Sequence, residues 1–281
     1  MSRLLVVVAL ACLCGAGIAS AADSTLAWAP PPEDARPSPV SIPVPDGPVV
    51  QREEREGGLV VEDMVIGTGH EVKPGMAVVA HYHGTLKSTG AEFDSSFTRG
   101  EPASFHLDGV IAGWTKGLPG MKVGGVRRLT IPSALAYGER SPSDKIPANS
   151  DLVFVVRLED ALFYEDVTAG TGDEASGMCV AVTTHSVKDA DGHEVEKADM
   201  ADPYVWLPGE MNAMGTQFDT MQLVFDGMKV GGVRRVFIPA PMNGSPPQLE
   251  VKRPTNVPLV IEFKLIAVRN LPQQQQPGRR R

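Results

Sequence analysis

One stretch of the chain occurs twice: Gly120-Met121-Lys122-Val123-Gly124-Gly125-Val126-Arg127-Arg128 returns, residue for residue, as Gly227 to Arg235. Chance identity over so many residues is very improbable, so we expect two copies of one domain in tandem. The surroundings of the two blocks differ, because aromatic and aliphatic residues near the first block have few equivalents near the second. We therefore predict that the first copy holds a ligand and that the second keeps mainly the fold.

The N-terminus has the pattern of a secretory signal peptide. Arg3 supplies a positive charge, residues 4–13 are apolar, and Ala19-Ser20-Ala21 provides the small residues of a cleavage site. A transmembrane helix needs about 20 apolar residues, so we predict a cleaved signal over residues 1–22. The alternative is a lipoprotein modified at Cys12, which lacks the large aliphatic residue expected three positions earlier.

The remaining chain is long enough for about two domains. Its net charge of −8 argues against nucleic acid as the main partner. Cys179 is the only cysteine after the signal, which excludes an internal disulfide, and we interpret it as a buried apolar residue. We predict a proline-rich disordered linker at 23–56, with a short helical turn near its end, and a disordered tail at 271–281. The three arginines of this tail give it the alternative role of a weak contact with an anionic surface.

The pattern between these ends is mostly that of β-strands. Residues 59–66, 76–82, 126–131 and 152–158 are rich in β-branched or aromatic residues, several of them in alternation. The stretch 110–118 instead repeats its large apolar residues at every fourth position, which predicts a short helix that Asp108 caps. An antiparallel sheet with one short helix packed on it gives an α+β fold.

Several kinds of site are excluded by their motifs. The chain has no phosphate-binding glycine loop, no nucleophile elbow and no paired Cys/His spacing of a metal site. His81 and His83 lie on one face of a predicted strand, but no third ligand accompanies them, so we interpret them as core or surface histidines. We expect neither a metal nor a cofactor.

A series of motifs runs through the first copy, and these motifs are Val79-Ala80-His81-Tyr82-His83-Gly84, Phe93-Asp94-Ser95-Ser96, Val110-Ile111-Ala112-Gly113-Trp114, Leu135-Ala136-Tyr137-Gly138 and Leu152-Val153-Phe154. In this order and spacing, residues 57–162 resemble the FKBP-type peptidyl-prolyl isomerases, in particular the bacterial exported members. The resemblance implies five or six antiparallel strands curved around a short helix. Two departures stand out: Ala103 replaces an aromatic residue, and the loop 139–145 differs from its eukaryotic form.

The resemblance also implies an apolar proline pocket between sheet and helix. Trp114, at the end of the helix that Val110 and Ile111 begin, forms its floor. The residues implied to bind substrate are Phe93, Arg99, Val110, Trp114, Ile146 and Phe154, with Ile146 on the rim. The residues implied to act on the amide are Asp94, Tyr137, Tyr82 and Ile111. Among them, the Ile111 N–H and the Tyr137 hydroxyl bind a substrate carbonyl, while Asp94 accepts hydrogen bonds from Tyr82 and Arg99.

Such a pocket suits isomerisation without a nucleophile. Rotation about an amide meets a barrier of ~18–20 kcal/mol because the C–N bond has partial double-bond character. That character depends on charge separation, which water stabilises, so an apolar site favours the less polar, twisted amide. The uncatalysed step takes ~10–100 s, which is slow enough to limit protein folding.

The second copy, residues 163–270, lacks most of the implied site. Aligned on the repeated block, it has Thr184 for Tyr82, Val195-Glu196 for Phe93-Asp94, Met221 for Trp114, Gly244 for Tyr137 and Ile261 for Phe154. We predict that it is a degenerate FKBP-like domain without isomerase activity. It binds unfolded clients or a protein partner, or it sets the geometry of an assembly; the alternative is a domain that only stabilises its neighbour.

These expectations combine into an exported isomerase that assists the folding of proteins in the cell envelope. Its predicted location is the periplasm, with secretion as the alternative. Its predicted partners are proline-containing polypeptides and macrolide inhibitors of the FK506 class. Two other functions stay open: a non-catalytic proline-binding chaperone or adaptor, and a structural envelope protein that uses the proline-rich arm as a tether.

Overall fold

The computed structural model describes residues 41–207, 224–242 and 257–272. The part of the chain up to Leu162, here called the first lobe, forms one antiparallel sheet in the strand order β1-β2-β6-β7-β3-β4, with β5 paired to β3. Its strands are β1 (Gln51–Arg55), β2 (Leu59–Val65), β3 (Ala77–Leu86), β4 (Glu92–Ser95), β5 (Ala103–His106), β6 (Val126–Ile131) and β7 (Leu152–Ala161). Its two short helices are α1 (Ser96–Arg99) and α2 (Ala112–Gly117).

The part from Phe163 onward, here called the second lobe, forms another antiparallel sheet in the order β8-β12-β13-β9-β10, with β11 paired to β9. Its strands are β8 (Phe163–Thr168), β9 (Cys179–Asp189), β10 (Glu194–Ala198), β11 (Tyr204–Trp206), β12 (Val233–Ile238) and β13 (Leu259–Asn270). Strand for strand, this is the order of β2-β6-β7-β3-β4 with β5 on β3. Among the residues described, only β1 lacks a counterpart.

The repeated block makes the same ion pair in both lobes. Arg127 places Nε 2.7 Å from Oδ1 of Asp63, and Arg234 places Nε 2.6 Å from Oδ1 of Asp166. Both arginine side chains are buried, and each also donates to a backbone carbonyl in the segment before its block. A buried guanidinium needs this full set of acceptors, so the arginine and the aspartate are required together in each lobe.

Each block also requires a glycine opposite it, because there is no room for a side chain. A Cβ atom on Gly67 would lie 2.3 Å from the carbonyl oxygen of Lys122, and one on Gly170 would lie 2.2 Å from that of Lys229. Both separations are far below van der Waals contact, so only glycine lets the two backbone segments meet. The two blocks thus make the same backbone-to-backbone contact with a glycine.

Helix α2 lies directly on strand β6 in the first lobe. A Cβ atom on Gly113 would overlap the Ile131 side chain, and one on Gly117 would approach Leu129 to 2.9 Å. This close approach fixes the helix against the sheet and turns Trp114 towards the space beside β3 and β7. The short helix, the α+β character and the four main strands predicted from the sequence are confirmed.

Four details of the prediction were wrong. The first sheet has seven strands, because β1 and the short β4 and β5 add to the expected set. Residues 51–55 form the edge strand β1 rather than a helical turn. The segment before β1 contacts the fold, since the Ile42 N–H donates to the Phe97 carbonyl at 3.0 Å. Helix α2 starts at Ala112, and its N-cap is Ile111 rather than Asp108.

Other predictions concern residues outside the described ranges. These are the signal peptide, the first part of the proline-rich linker, residues 273–281 of the tail, and the second copy's Met221 and Gly244. Among the described residues, no helix has both the length and the apolar composition needed to cross a membrane. Cys179 is buried, as predicted.

The two sheets belong to one compact unit. The ring of Phe163 stacks between His70, at 3.4 Å between centroids, and Phe237, at 4.2 Å. The Leu162 N–H donates to the Ala77 carbonyl at 2.9 Å, which ties the connection between the sheets to the start of β3. These contacts hold the second lobe against the end of the first sheet.

Candidate active site

An open cleft in the first lobe lies between helix α2 and the inner face of the sheet. Its volume is about 500 Å³, within the size range of small-ligand sites. It is lined by Tyr82, Asp94, Phe105, Gly109, Val110, Ile111, Trp114, Tyr137 and Phe154. Strands β3, β4, β5 and β7 and the start of α2 each contribute, so the fold assembles the cleft from segments that are distant in sequence.

Trp114 forms the floor of this cleft, and three aromatic rings meet it edge-on. The ring centroids of Phe105, Phe154 and Tyr82 lie 4.9, 5.3 and 5.8 Å from that of Trp114. Such perpendicular arrangements are the favourable ones for aromatic pairs. The rings therefore fix one another, and they give the cleft rigid apolar walls. Behind Phe154, the ring of Phe93 makes a further edge contact at 5.5 Å.

Three polar side chains close one side of the cleft through mutual hydrogen bonds. The Tyr82 hydroxyl donates to Oδ2 of Asp94 at 2.5 Å. Arg99 donates to Oδ1 of Asp94 at 2.5 Å and to the Tyr82 hydroxyl at 2.7 Å. The three groups, called here the Tyr82–Asp94–Arg99 triad, satisfy one another and hold the phenol at the edge of the apolar floor.

Burial and bonding shift the ionisation of this triad. Burial of the Tyr82 phenol, helped by its hydrogen bond to Asp94, raises its pKa, so the phenol stays protonated and remains a donor. Burial alone would raise the pKa of Asp94. Hydrogen bonds from Tyr82 and Arg99, together with the charge of Arg99, outweigh burial and hold this pKa below its ordinary value. The site therefore keeps an ionised carboxylate next to an apolar surface.

Two hydrogen-bond donors face the cleft from the side of the helix. Ile111, the N-cap of α2, lines the cleft, and its N–H finds no acceptor among the residues described. Tyr137 lines the cleft from the segment after β6 and is partly exposed. Both donors are free to bind a carbonyl oxygen that enters the cleft.

Most residues predicted from the sequence meet at this cleft, but not all of them. Ile146 is buried in the same core cluster as Trp114 and Phe154, and its predicted place on the rim of the cleft stays a prediction. Phe93 packs edge-on against Phe154, and its predicted contact with substrate stays a prediction. Phe105 was missed: it shares a face of β5 with Ala103, two positions away, and supplies an aromatic wall where Ala103 offers none.

The two histidines of β3 have structural partners. Nδ1 of His81 lies 3.1 Å from Oγ of Ser96, and Nδ1 of His83 lies 3.3 Å from Oε2 of Glu92. Among the described residues, the one group with the spacing of metal ligands is Asp189, Asp191 and His193, in the turn between β9 and β10 and away from the cleft. The Asp189 carboxylate accepts hydrogen bonds from the backbone N–H groups of Asp191 and His193 in the same turn.

Comparison with known proteins connects this geometry to a family. Residues 69–159, which contain the cleft, match the pattern of the FKBP-type peptidyl-prolyl cis-trans isomerases. The chain is 44% identical over 120 residues to a "Probable FK506-binding protein" of Corynebacterium glutamicum, covering 43% of this chain and 96% of that protein. It belongs to the FKBP-type peptidyl-prolyl cis-trans isomerase family.

Two further FKBP-type relatives match the same region. The isomerase FkpA of Escherichia coli is 52% identical over 103 residues, which are 37% of each chain. The crystal structure of FkpA from Escherichia coli aligns at 49% identity with a TM-score of 0.37, over 39% of this chain and 51% of that one. The chain thus spans about half of the FkpA structure or less, and the match is to the FKBP-type domain.

The second lobe carries different residues at the positions of the FKBP-type site. Val156 and Phe263 are equivalent, because each lies opposite the same arginine of the repeated block. Tyr82 pairs with Val156 and His185 pairs with Phe263, so His185 occupies the place of Tyr82. The alignment that put Thr184 there was wrong by one residue. Register also places Glu196 at the position of Asp94. Asp94 lies opposite Gly84, two residues after Tyr82, and Glu196 lies opposite Val187, two residues after His185.

Aromatic side chains fill this part of the second lobe, contrary to the expectation that it had lost them. Trp206 takes the position of Phe105, and its ring lies 4.7 Å from Tyr204 and 5.6 Å from both Phe225 and Phe263. The cavity left beside His185 is about 10 Å³, roughly the space of one water molecule. A proline ring does not fit in this space.

Proposed function

We propose that the first lobe catalyses cis-trans isomerisation of Xaa-Pro bonds in polypeptides. The observation that carries this proposal is the Tyr82–Asp94–Arg99 triad at the edge of an aromatic cleft that is large enough for a prolyl residue. A cleft that only gripped proline would need the apolar walls alone. Family membership supports the same reaction.

The reaction follows from the environment that the cleft gives to an amide. The prolyl ring rests on Trp114 between Phe105 and Phe154, away from water, where the charge-separated planar amide loses its solvation. The Ile111 N–H and the Tyr137 hydroxyl bind substrate carbonyls and orient the chain. Stabilisation that is greater for the twisted amide than for the planar one lowers the barrier. No proton transfer and no covalent intermediate are needed.

The wider role that we propose is to assist the folding of exported proteins in the cell envelope, after removal of residues 1–22. We place the isomerase domain at 57–162 together with β1, and a second FKBP-like domain at 163–270. The second lobe serves as a non-catalytic domain that binds clients or a partner. Inhibitors of the FK506 class are expected to compete for the cleft, a proposal that the names of the FK506-binding relatives support.

The test is NMR exchange spectroscopy on a short Xaa-Pro peptide with the full chain. We expect the wild type to accelerate exchange, and Asp94→Leu to reduce the acceleration by roughly 10–100-fold, because Tyr82 and Arg99 lose their common partner. The matched control is Glu196→Leu, at the equivalent position of the second lobe, which is expected to keep full activity. If the folded wild type binds the peptide without accelerating exchange, the protein is a proline-binding chaperone or adaptor instead.

A further inference from the structure

Strand β3 has a gap in its backbone pairing directly beside the cleft. On the side away from β7, β5 pairs with β3 as far as Ala80, and β4 pairs with it from His83 onward. His81 and Tyr82 lie between these two pairings without a strand partner on that side. Backbone groups inside a sheet need partners, so something other than a strand has to serve Tyr82.

The side chain of Ser96 fills this gap. The Tyr82 N–H donates to Oγ of Ser96 at 2.7 Å, and Oγ lies 3.3 Å from the Tyr82 carbonyl oxygen. Nδ1 of His81 lies 3.1 Å from the same Oγ. Ser96 is fully buried and His81 nearly so. One hydroxyl therefore serves both backbone groups of Tyr82, and His81 holds that hydroxyl in place.

Ser96 also stands at the centre of the segment that binds the Tyr82 phenol. It is the first residue of α1, between Asp94, which accepts from the phenol, and Arg99, which donates to it. The segment from Asp94 to Arg99 thus holds Tyr82 in two places. Ser96 bonds to the Tyr82 backbone, and Asp94 and Arg99 bond to the Tyr82 hydroxyl. This closed arrangement leaves the Tyr82 ring little freedom to tilt.

His81 is itself fixed from several sides. Its ring stacks on Phe97 of α1, with centroids 4.9 Å apart, and Arg157 lies over the same Phe97 ring. Burial, followed by the nearby charge of Arg157, lowers the pKa of His81, whereas Glu159 and a hydrogen bond with the Ser96 backbone act in the opposite direction. The ring is therefore neutral at ordinary pH, and it can bond to Ser96 without bringing a charge into the core.

The second lobe lacks this arrangement together with the triad. There the pairing of β10 with β9 continues to Ala198 opposite His185, and Ala198 stands where Ser96 stands in the first lobe. Thr184 replaces His81. Backbone pairing closes the gap, and no hydroxyl is required. The serine bridge thus accompanies the lobe with the open cleft.

We propose that Ser96, supported by His81, is a positioning residue for prolyl isomerisation, which fixes Tyr82 so that its phenol and ring meet the bound amide at a constant place. This inference rests on the proposed function. A small displacement of a group that contacts the reacting atoms lowers the rate much more than it lowers binding.

The test compares Ser96→Ala with the wild type in the full chain, by peptide exchange for kcat and KM and by ¹³C NMR titration of the tyrosine Cζ atoms. We expect kcat to fall roughly tenfold with KM changed less than threefold. We also expect the titration of Tyr82 to move down towards that of an ordinary tyrosine. Loss of packing alone would lower stability without moving this titration.

A second pair of variants keeps the inference testable if Ser96→Ala does not fold. The amide of His81→Asn can donate or accept at the position of Nδ1, so it is expected to retain most of kcat, whereas His81→Leu fills the space without a polar group and is expected to lose it. Equal activity of the two, or wild-type kcat and Tyr82 titration in Ser96→Ala, would overturn the inference. An inactive wild type would instead overturn the proposed function.

Discussion

The two lobes share one strand order, but the region around Tyr82 is open in the first lobe and the equivalent region around His185 is filled in the second. In the first, the sheet pairing stops beside Tyr82, a serine bridges the gap, and a cleft of about 500 Å³ stays open. In the second, strand pairing continues as far as His185, and Trp206 with its aromatic neighbours leaves about 10 Å³. The contacts around the repeated block are unchanged. The residues that hold the fold can therefore be separated from those that make the site.

The largest expected effect tests whether the block has the same role in both lobes. Gly67→Ala and Gly170→Ala each place a Cβ atom about 2.2–2.3 Å from a carbonyl oxygen of the block. We expect each to cost roughly 4 kcal/mol or more of stability, because the backbone segments must separate. Urea unfolding measures this. The control is Gly47→Ala, where a Cβ atom meets nothing within 4 Å. A tolerated Gly170→Ala would show that the second block is not held like the first.

A matched pair of aromatic substitutions separates stability from activity. Phe154 lines the cleft of the first lobe and Trp206 fills that of the second, and both are nearly buried. Replacing either by alanine is expected to cost about 3–5 kcal/mol of stability. Only Phe154→Ala is expected to lose isomerase activity, by roughly 100-fold, corresponding to about 2.7 kcal/mol in the barrier.

The measurement is peptide exchange at a temperature where circular dichroism shows both variants to be folded. The comparison between the lobes would fail if Trp206→Ala lost activity to the same degree, since the second lobe would then contribute to the reaction directly. A gain of proline-peptide binding by Trp206→Ala would show that the side chain itself closes the second site.

The sequence predicts those features of the two lobes that leave a local or repeated pattern in it. The block, the main strands and the short helix follow from alternation and periodicity, and the polar triad follows from motif resemblance. The misplaced Thr184 shows where such reasoning ends. Strand register depends on loop lengths and bulges, and a slip of one residue moves a side chain to the other face of the sheet. The correct partner, His185, becomes visible only through its pairing with Phe263.

One other error has the same origin in tertiary contacts. Phe105 reaches the cleft because β5 pairs with β3 in a register that brings it over Trp114. This arrangement has no signal in the local sequence. Charged residues with alternative partners, such as those of β1, likewise acquire their strand only by pairing with β2.

The smallest expected effect is a pH dependence that belongs to His81. Because its pKa in the folded protein is lowered from 6.5, the unfolded chain binds a proton that the folded chain does not, once the pH falls below about 6.5. Folding stability is therefore complete above this pH and decreases as the pH falls towards the folded pKa. Burial of the ring is the main cause of the lowered pKa, the charge of Arg157 adds to it, and Glu159 and a hydrogen bond with the Ser96 backbone oppose it. His81→Asn removes the titrating group, so the slope of unfolding free energy between pH 6.5 and 5 is expected to become smaller. Urea unfolding of both proteins across this range gives the slopes. Identical slopes would mean that His81 takes up its proton at the same pH in the folded and unfolded chains, contrary to the lowered pKa expected from its burial.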